Sequence, residues 1–448
     1  QKLSGGYTQS DGGTKNSDFK RRRAYYTGSY TSRYADLVWQ AGLSSQDYGA
    51  STFYSAKFDN QWEATRRIIT SAQADIKPFG DERLVITPQA YWHRDVDHYQ
   101  LTRGKEGAKN GENYHRTDVY GASLNAHATW LLGKTAVGMD IRKEHILSTA
   151  YGDLLPENEW KNIHGTDRHY DHRGDRTNTS LFLEHNVILG GFTLSAGVLA
   201  NRNTGLDGDF RFYPGVDLSY RPNEMWKFYA SWNKALRVPT YTDLYTSNSV
   251  QQGDTGLRPE RTSTFKAGTR FRTRGVEAVV SGFYSKGNDI IDWVYETEES
   301  RKYHAMNIGK LDNMGYSVDA TLNMTELLPG SFVTRIKAGY ARIHQRHTTE
   351  QPVYRSLYAL EYLRHKATFQ LDHRIWSRLS ASWAVRWQER MNHYEPYTKV
   401  DCKLQWTAPT YSLYVKADNI TNHRYYDLGG VRQPGLWIMA GGSVKIGL

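Results

Sequence analysis

The chain has 448 residues, 39% hydrophobic and 23% charged, with a formal net charge of +10. No stretch approaches the roughly 18 consecutive apolar residues of a membrane-spanning helix, which excludes helical spans. Arg and Lys are spread singly rather than gathered in a stripe, which argues against a nucleic-acid partner. The one basic run, Lys20–Arg23, reads as a solvated strand end, and the single Cys402 excludes a disulfide-held fold. Low mean hydropathy is compatible with a spanning barrel, because lipid-facing and lumen-facing residues alternate and polar loops dilute the average. The 32 Tyr and 13 Trp are in excess, and such amphipathic rings suit bilayer interfaces and ligand-binding loops.

From Gln1 onward about twenty strand-like segments follow one another, joined by connections that are alternately short and long, as in outer-membrane barrels. Short turns are expected at Ser32–Tyr34, Phe79–Glu82, Leu132–Gly133, Leu189–Gly191, Arg221–Glu224, Thr273–Gly275, Leu327–Gly330, Ile375–Arg378 and Ala408–Thr410. Long connections are expected at Gln9–Asp18, Gln46–Asn60, Thr102–Glu112, Thr149–His172, Arg202–Gly208, Leu236–Pro259, Asp289–His304, His344–Tyr362, Gln388–Pro396 and Ile420–Pro434. Trp130, Trp226, Trp376 and Trp406 lie close to short turns and predict an aromatic girdle at that interface. Individual strands show the two-residue period. Leu379, Ala381, Trp383, Val385 and Trp387 alternate with Ser380, Ser382, Ala384 and Arg386, and Ile336, Ala338 and Tyr340 alternate with Arg335 and Lys337, so the cations point inward.

The last segments read as a hairpin. Tyr411, Leu413, Val415 and Ala417 share one face, and after a loop Ile438, Ala440, Val444, Ile446 and Leu448 share another. A strand that ends the chain inside a bilayer needs partners on both sides, and closure of the sheet supplies them. The fold class is therefore all-β, a transmembrane antiparallel β-barrel of about 20–22 strands, forming one domain over residues 1–448. Both ends fall on the short-turn side, so the strand number is even. No repeat of constant period supports a propeller.

Three separated segments resemble TonB-dependent outer-membrane receptors. ALRVPTYTDLY at Ala235–Tyr245 followed by GLRPE at Gly256–Glu260 is similar to the mid-barrel signature of that family, and DNITNHRYY at Asp418–Tyr426 with the following GGVRQPGLWIMAG is similar to its closing hairpin. Asp254-Thr255 stands where the family usually has Asn-Pro, and Leu448 where it usually ends in an aromatic residue. The resemblance implies a twenty-two-stranded barrel in the outer membrane, with extracellular loops, taking up a scarce nutrient at the expense of the TonB complex. It also implies an N-terminal plug that is gripped by that complex, and the expectation is that the plug and two strands are missing from this sequence. SDGGTKNSDFKRR at Ser10–Arg22 and DYGASTFYSAKFDNQWEATR at Asp47–Arg66 resemble the first loops of cobalamin receptors of the Bacteroides type. That likeness implies cobalamin or a related corrinoid as substrate and a surface lipoprotein as partner. A ferric siderophore is the alternative. Haem ranks last, since Thr246–Thr255 contains no histidine, and a passive porin-like channel is the alternative of another class.

Ligand should meet the long loops, because the bilayer hides the rest of the surface. The aromatic candidates there are Phe53, Tyr54, Tyr241, Tyr245, Trp293, Tyr295, Tyr425 and Tyr426. Flat rings cover a large rigid ligand at small entropic cost and their hydroxyls orient it. The segment HGTDRHYDH gathers His164, His169 and His172 with Asp167 and Asp171, but its spacing matches no closed metal site and it reads as an exposed polar loop. Asp153, Glu157 and Glu159 lack the glycine-punctuated spacing of a calcium loop. No metal, cofactor or enzymatic constellation is expected, as neither a nucleophile elbow nor a metal-hydrolase motif is present.

Overall fold

The computed structural model describes residues 1–445 apart from 55–56, 207, 361, 392–393 and 428–430. One antiparallel sheet of twenty-one strands dominates it. Removing the two-residue segment Asp153–Leu154, which only prolongs a neighbouring ladder, leaves twenty long strands from Lys2–Ser10 to Trp437–Val444. Each pairs with its neighbour in sequence. All nine expected short turns lie between strands. Ser32–Tyr34 separates Phe19–Thr31 from Ala35–Ser51, and Leu327–Gly330 lies in the connection that opens with the one-turn helix Met324–Leu327. The long connections lie at the other end.

Register makes the alternation physical. Val137 faces Leu183, Leu183 faces Val198, Val280 faces Val318 and Leu404 faces Val415, which in turn faces Ala440. These apolar side chains form a belt on the outer wall, where hydrocarbon replaces water as solvent. The opposite face carries ion pairs: Arg142–Glu144 at 3.1 Å, Arg270–Glu277 at 2.8 Å, Arg335–Asp372 at 2.7 Å, Lys399–Asp401 at 3.1 Å and Lys416–Asp418 at 2.8 Å. Charges on that wall line a polar lumen, which spares them the penalty of burial in lipid. Trp130, Trp226 and Trp406 sit on the belt side of their strands near short turns, and Trp376 lies in the turn itself, 74% exposed.

Two expectations need correction. The C-terminal strand is paired on one side only, with Tyr411–Asp418. Among the described residues no ladder joins it to Lys2–Ser10. The sheet nevertheless curls back on itself, since Gly13, just past the first strand, packs against Pro434, just before the last. Among the described residues the two edges therefore meet at loop level. Ile446 and Leu448, expected on the apolar face of the last strand, lie outside the described residues. Second, Gln46–Ser51 and His344–Thr348 are not loop but the upper ends of the strands Ala35–Ser51 and Val333–Thr348, the first paired with Phe19–Arg21 on one side and Gln61–Thr65 on the other, the second with Lys310–Met314.

Several strands outrun the membrane. Glu112–Trp130 has 19 residues and Leu84–Gln100 has 17, whereas about 9–11 tilted residues cross a bilayer. Their upper ends stand above the lipid as a wall around the mouth. In a Cys402→Ser background, Pro329→Cys and Pro409→Cys should stay unlabelled by a membrane-impermeant maleimide on intact cells, while Tyr426→Cys labels. The opposite pattern means an inverted barrel.

Candidate functional site

The mouth is built by loops that are stitched to one another. Arg103 reaches from the third long connection to the first, donating to both oxygens of Asp18 at 2.6 and 3.0 Å, and its backbone N–H donates to the Asn60 carbonyl at 2.7 Å. Hydrogen bonds from Arg103 hold the Asp18 carboxyl below its ordinary range. The buried Glu112 accepts from Gly107 N–H at 2.6 Å, Gln100 at 3.2 Å, Tyr114 at 3.0 Å and Arg168 at 3.0 Å, and lies 2.8 Å from His98. It thereby ties the loop after Gln100 to the loop after Ser148. Tyr151 continues the chain of contacts, stacked on His115 at 4.2 Å with its hydroxyl 3.1 Å from the Thr246 hydroxyl.

The mid-barrel motif is the next joint. Thr240 and Asp243 form a reciprocal N-terminal cap for the short helix Tyr241–Tyr245: the Asp243 N–H donates to Thr240 Oγ1 at 3.1 Å, and Thr240 N–H returns a bond to Asp243 Oδ2 at 3.0 Å. Arg237 then bridges Asp243 at 3.1 Å and Glu260 at 2.6 Å, and the same Glu260 oxygen accepts the Ile291 N–H at 2.9 Å. Arg258 and Arg261 hold Asp289 at 2.9 and 2.7 Å. Burial raises the Asp289 carboxyl, but these guanidinium contacts outweigh it and leave the group below its ordinary value. The motif thus fixes the starts of two loops to the rim.

Above this rim the loops fold into a sheet of their own. Ile291–Tyr295 pairs with Tyr303–Asn307, which takes Gln251–Gln252 on its other edge, while Arg355–Ser356 pairs with Ile291–Tyr295. Leu257, Ile291, Trp293 and Ala305 form its core. Asp292, 1% exposed, accepts from Trp293 N–H at 2.8 Å and Ala359 N–H at 2.9 Å, and from the Ser356 hydroxyl. A carboxylate so placed satisfies loop backbone that has no water to turn to.

The structure divides the eight aromatic candidates. Phe53 is exposed and meets Tyr54 edge-on at 4.9 Å. Tyr54 in turn meets Tyr99 at 5.4 Å, and its hydroxyl donates to Glu63. Burial, then the Glu63 charge, push the Tyr54 phenol well above its ordinary range. Tyr241 and Tyr245 line a cavity of about 160 Å³ with Asp153, Asp175 and Arg176, whose guanidinium lies 4.8 Å over the Tyr241 ring. Burial pushes the Tyr241 phenol up to about 12, so it stays a neutral donor. Tyr295 stacks on Tyr303 at 4.0 Å, with the Lys57 ammonium 6.0 Å over its ring. That contact joins loops ten strands apart and so spans the mouth. Trp293 and Tyr425 are buried, the first in the loop core and the second against Tyr397 at 4.3 Å, whereas Tyr426 is exposed. Tyr48, Glu63, Asp97, Tyr99 and Tyr151 also face the mouth and escaped sequence reasoning, three of them because they sit on strands outside the expected loops. Strand lengths well beyond a bilayer's need were the available signal. Among the described residues, Asp97 Oδ1 and Tyr241 Oη are buried without a hydrogen-bond partner. In the polar loop His172 contacts Asp171 at 2.7 Å and His169 lies against Trp160.

A barrel with an apolar belt, a charged lumen and loops locked over one mouth is the architecture of outer-membrane transport proteins. The family model described as TonB dependent receptor-like, beta-barrel matches residues 2–420, and the chain belongs to that family. It resides in the outer membrane. Solved structures share the fold at low identity. The FrpB iron transporter of Neisseria meningitidis, in its F5-1 apoprotein form, matches with a TM-score of 0.74 and 16% identity over 95% of this chain and 71% of its own. The copper transporter OprC gives 0.75 and 16% over 98% and 74%, and the siderophore receptor PirA of Acinetobacter baumannii 0.71 and 12% over the same shares.

Replacing Asp292 by Ala orphans several buried donors and should destabilise the loop sheet by about 3 kcal/mol. Hydrogen exchange of the Ile291–Tyr295 amides is expected to accelerate while barrel amides keep their protection, with Asp292→Asn intermediate. The Asp289 contribution has a defined pH window. A carboxyl held below its ordinary value of 3.8 stabilises fully above that value and loses its effect as pH falls through the lower folded value. Protection of residues 289–309 should therefore decline below about pH 4 in the wild type, and Asp289→Asn should abolish that decline.

Proposed function

We propose that this receptor takes up cobalamin or a related corrinoid, captured at the loop-lined mouth and imported with energy delivered by the TonB complex to the full-length protein. The observation that carries the reading is the chemistry of the mouth. Tyr48, Tyr54 and Tyr99 surround Glu63 and Asp97, and two buried polar atoms, Asp97 Oδ1 and Tyr241 Oη, lack partners among the described residues. A corrinoid is a broad rigid macrocycle rimmed with carboxamides, so its faces suit tyrosine rings and its amide N–H groups suit the partnerless oxygen of Asp97, whose carboxyl burial and the Glu63 charge push up to about 8.

Phe53, Tyr54 and Tyr426, which are exposed, and Tyr241, Tyr245 and Tyr295, which are half-buried, are the ligand contacts in this reading. Trp293 and Tyr425 act through loop packing in this reading. The resemblance of Ser10–Arg22 and Asp47–Arg66 to cobalamin-receptor loops agrees, and a surface lipoprotein over the mouth belongs to the same proposal. Uptake of a ferric siderophore is the second reading, favoured by the iron and siderophore proteins among the similar structures.

Titration of the full-length receptor with cyanocobalamin and with several ferric siderophores separates the two. Corrinoid binding is expected. Tyr54→Ala and Asp97→Asn should each weaken it by roughly five- to a hundred-and-fifty-fold, about 1–3 kcal/mol. Binding of an iron chelate with no corrinoid binding would overturn the cobalamin reading.

A further inference from the structure

The outer wall is not uniform. On the strands Glu260–Thr273, Val276–Asn288, Lys310–Asn323 and Val333–Thr348, two adjacent register rows of the belt face differ sharply in size. One row runs Phe265, Tyr284, Met314, His344, and the row beneath it, toward the short turns, runs Ala267, Gly282, Tyr316, Arg342. The small pair at Ala267 and Gly282 leaves a groove of about 670 Å³ between the larger side chains. A Cβ at Gly282 would meet nothing closer than 3.6 Å, so the space is real and the backbone there is ordinary.

The cations make the groove unusual. Arg342 and His344 are exposed on the belt face at the long-loop end of their strand, and Arg346 follows on the same face. None of the three makes an ion pair or hydrogen bond through its side chain among the described residues. Asp312, opposite Arg346, is engaged by the Tyr284 hydroxyl at 3.1 Å. An arginine turned toward lipid is unfavourable at depth and tolerable only near the interface, where an anion can meet it.

We propose that this groove seats an acylated lipid of the outer leaflet through one of its chains, with a phosphate of its headgroup held by Arg342 and neighbouring cations. The slot is floored by Ala267 and Gly282, flanked by the rings of Phe265, Tyr284 and Tyr316, and shares its register row with Arg342. The guanidinium supplies paired donors matched to a phosphate. The site lies on the lipid side of the wall and is independent of the ligand mouth.

Native mass spectrometry of the delipidated full-length receptor tests this, with a hexa-acylated bis-phosphorylated glucosamine-disaccharide lipid as probe. Its dephosphorylated form and inorganic phosphate are the comparison arms. The bis-phosphorylated lipid should bind about tenfold more tightly than its dephosphorylated form. Gly282→Leu, which fills the slot, and Arg342→Gln, which removes the charge, should each weaken binding about tenfold. Val216→Ile, elsewhere on the belt, should leave it unchanged. Equal binding of the dephosphorylated lipid overturns the headgroup seat. Displacement by inorganic phosphate together with full binding by Gly282→Leu means an adventitious ion only, and overturns the proposal as a whole.

Discussion

Backbone amides and carbonyls cannot be left unpaired in hydrocarbon, and this constraint governs the whole molecule. A chain without long apolar helices meets it by pairing strand with strand, and the pairing then dictates everything else. Side chains must alternate between lipid and lumen. Charges such as Arg335 and Asp372 find each other on the inner wall because the outer wall has no water to offer. Above the bilayer the constraint relaxes, yet loops packed against one another recreate it locally. Asp292 and Glu112 answer it there by accepting hydrogen bonds from several loops at once.

The mid-barrel segment shows how a sequence signature acquires physical meaning. Arg237, Thr240, Asp243 and Glu260 touch no candidate ligand surface. They cap a one-turn helix and bridge the ends of the long connection 238–259, so that Tyr241 and Tyr245 are presented at a fixed height. Asn419 does comparable work in the final loop. It adopts a left-handed backbone, φ 53°, that asparagine tolerates, and its side chain bonds His423 through both its amide and carbonyl. The residues that carry the family resemblance therefore organise loops, while the aromatic residues around them contact the mouth.

Strands and short turns were legible because both depend on local pattern. Two-residue alternation and turn residues such as Gly275 and Gly330, with φ 76° and 92°, need no tertiary knowledge. The candidate site was legible only in part. Placing aromatic residues in long loops is a local statement, but whether a ring faces ligand or packs inward depends on which loops meet. Trp293 is covered because residues 251–252 and 355–356 pair alongside it, a junction of segments more than a hundred positions apart. Tyr99 faces the mouth because its strand continues past the membrane, and alternation alone does not reveal how high a strand stands.

Every ladder in the barrel joins neighbours along the chain, so the sheet can lengthen one hairpin at a time without any distant segment having to be found. Among the described residues, Gly13 and Pro434 bring the first and last strands' loops close together. Order along the chain thereby becomes order around the wall, and each formed hairpin presents the edge on which the next one pairs.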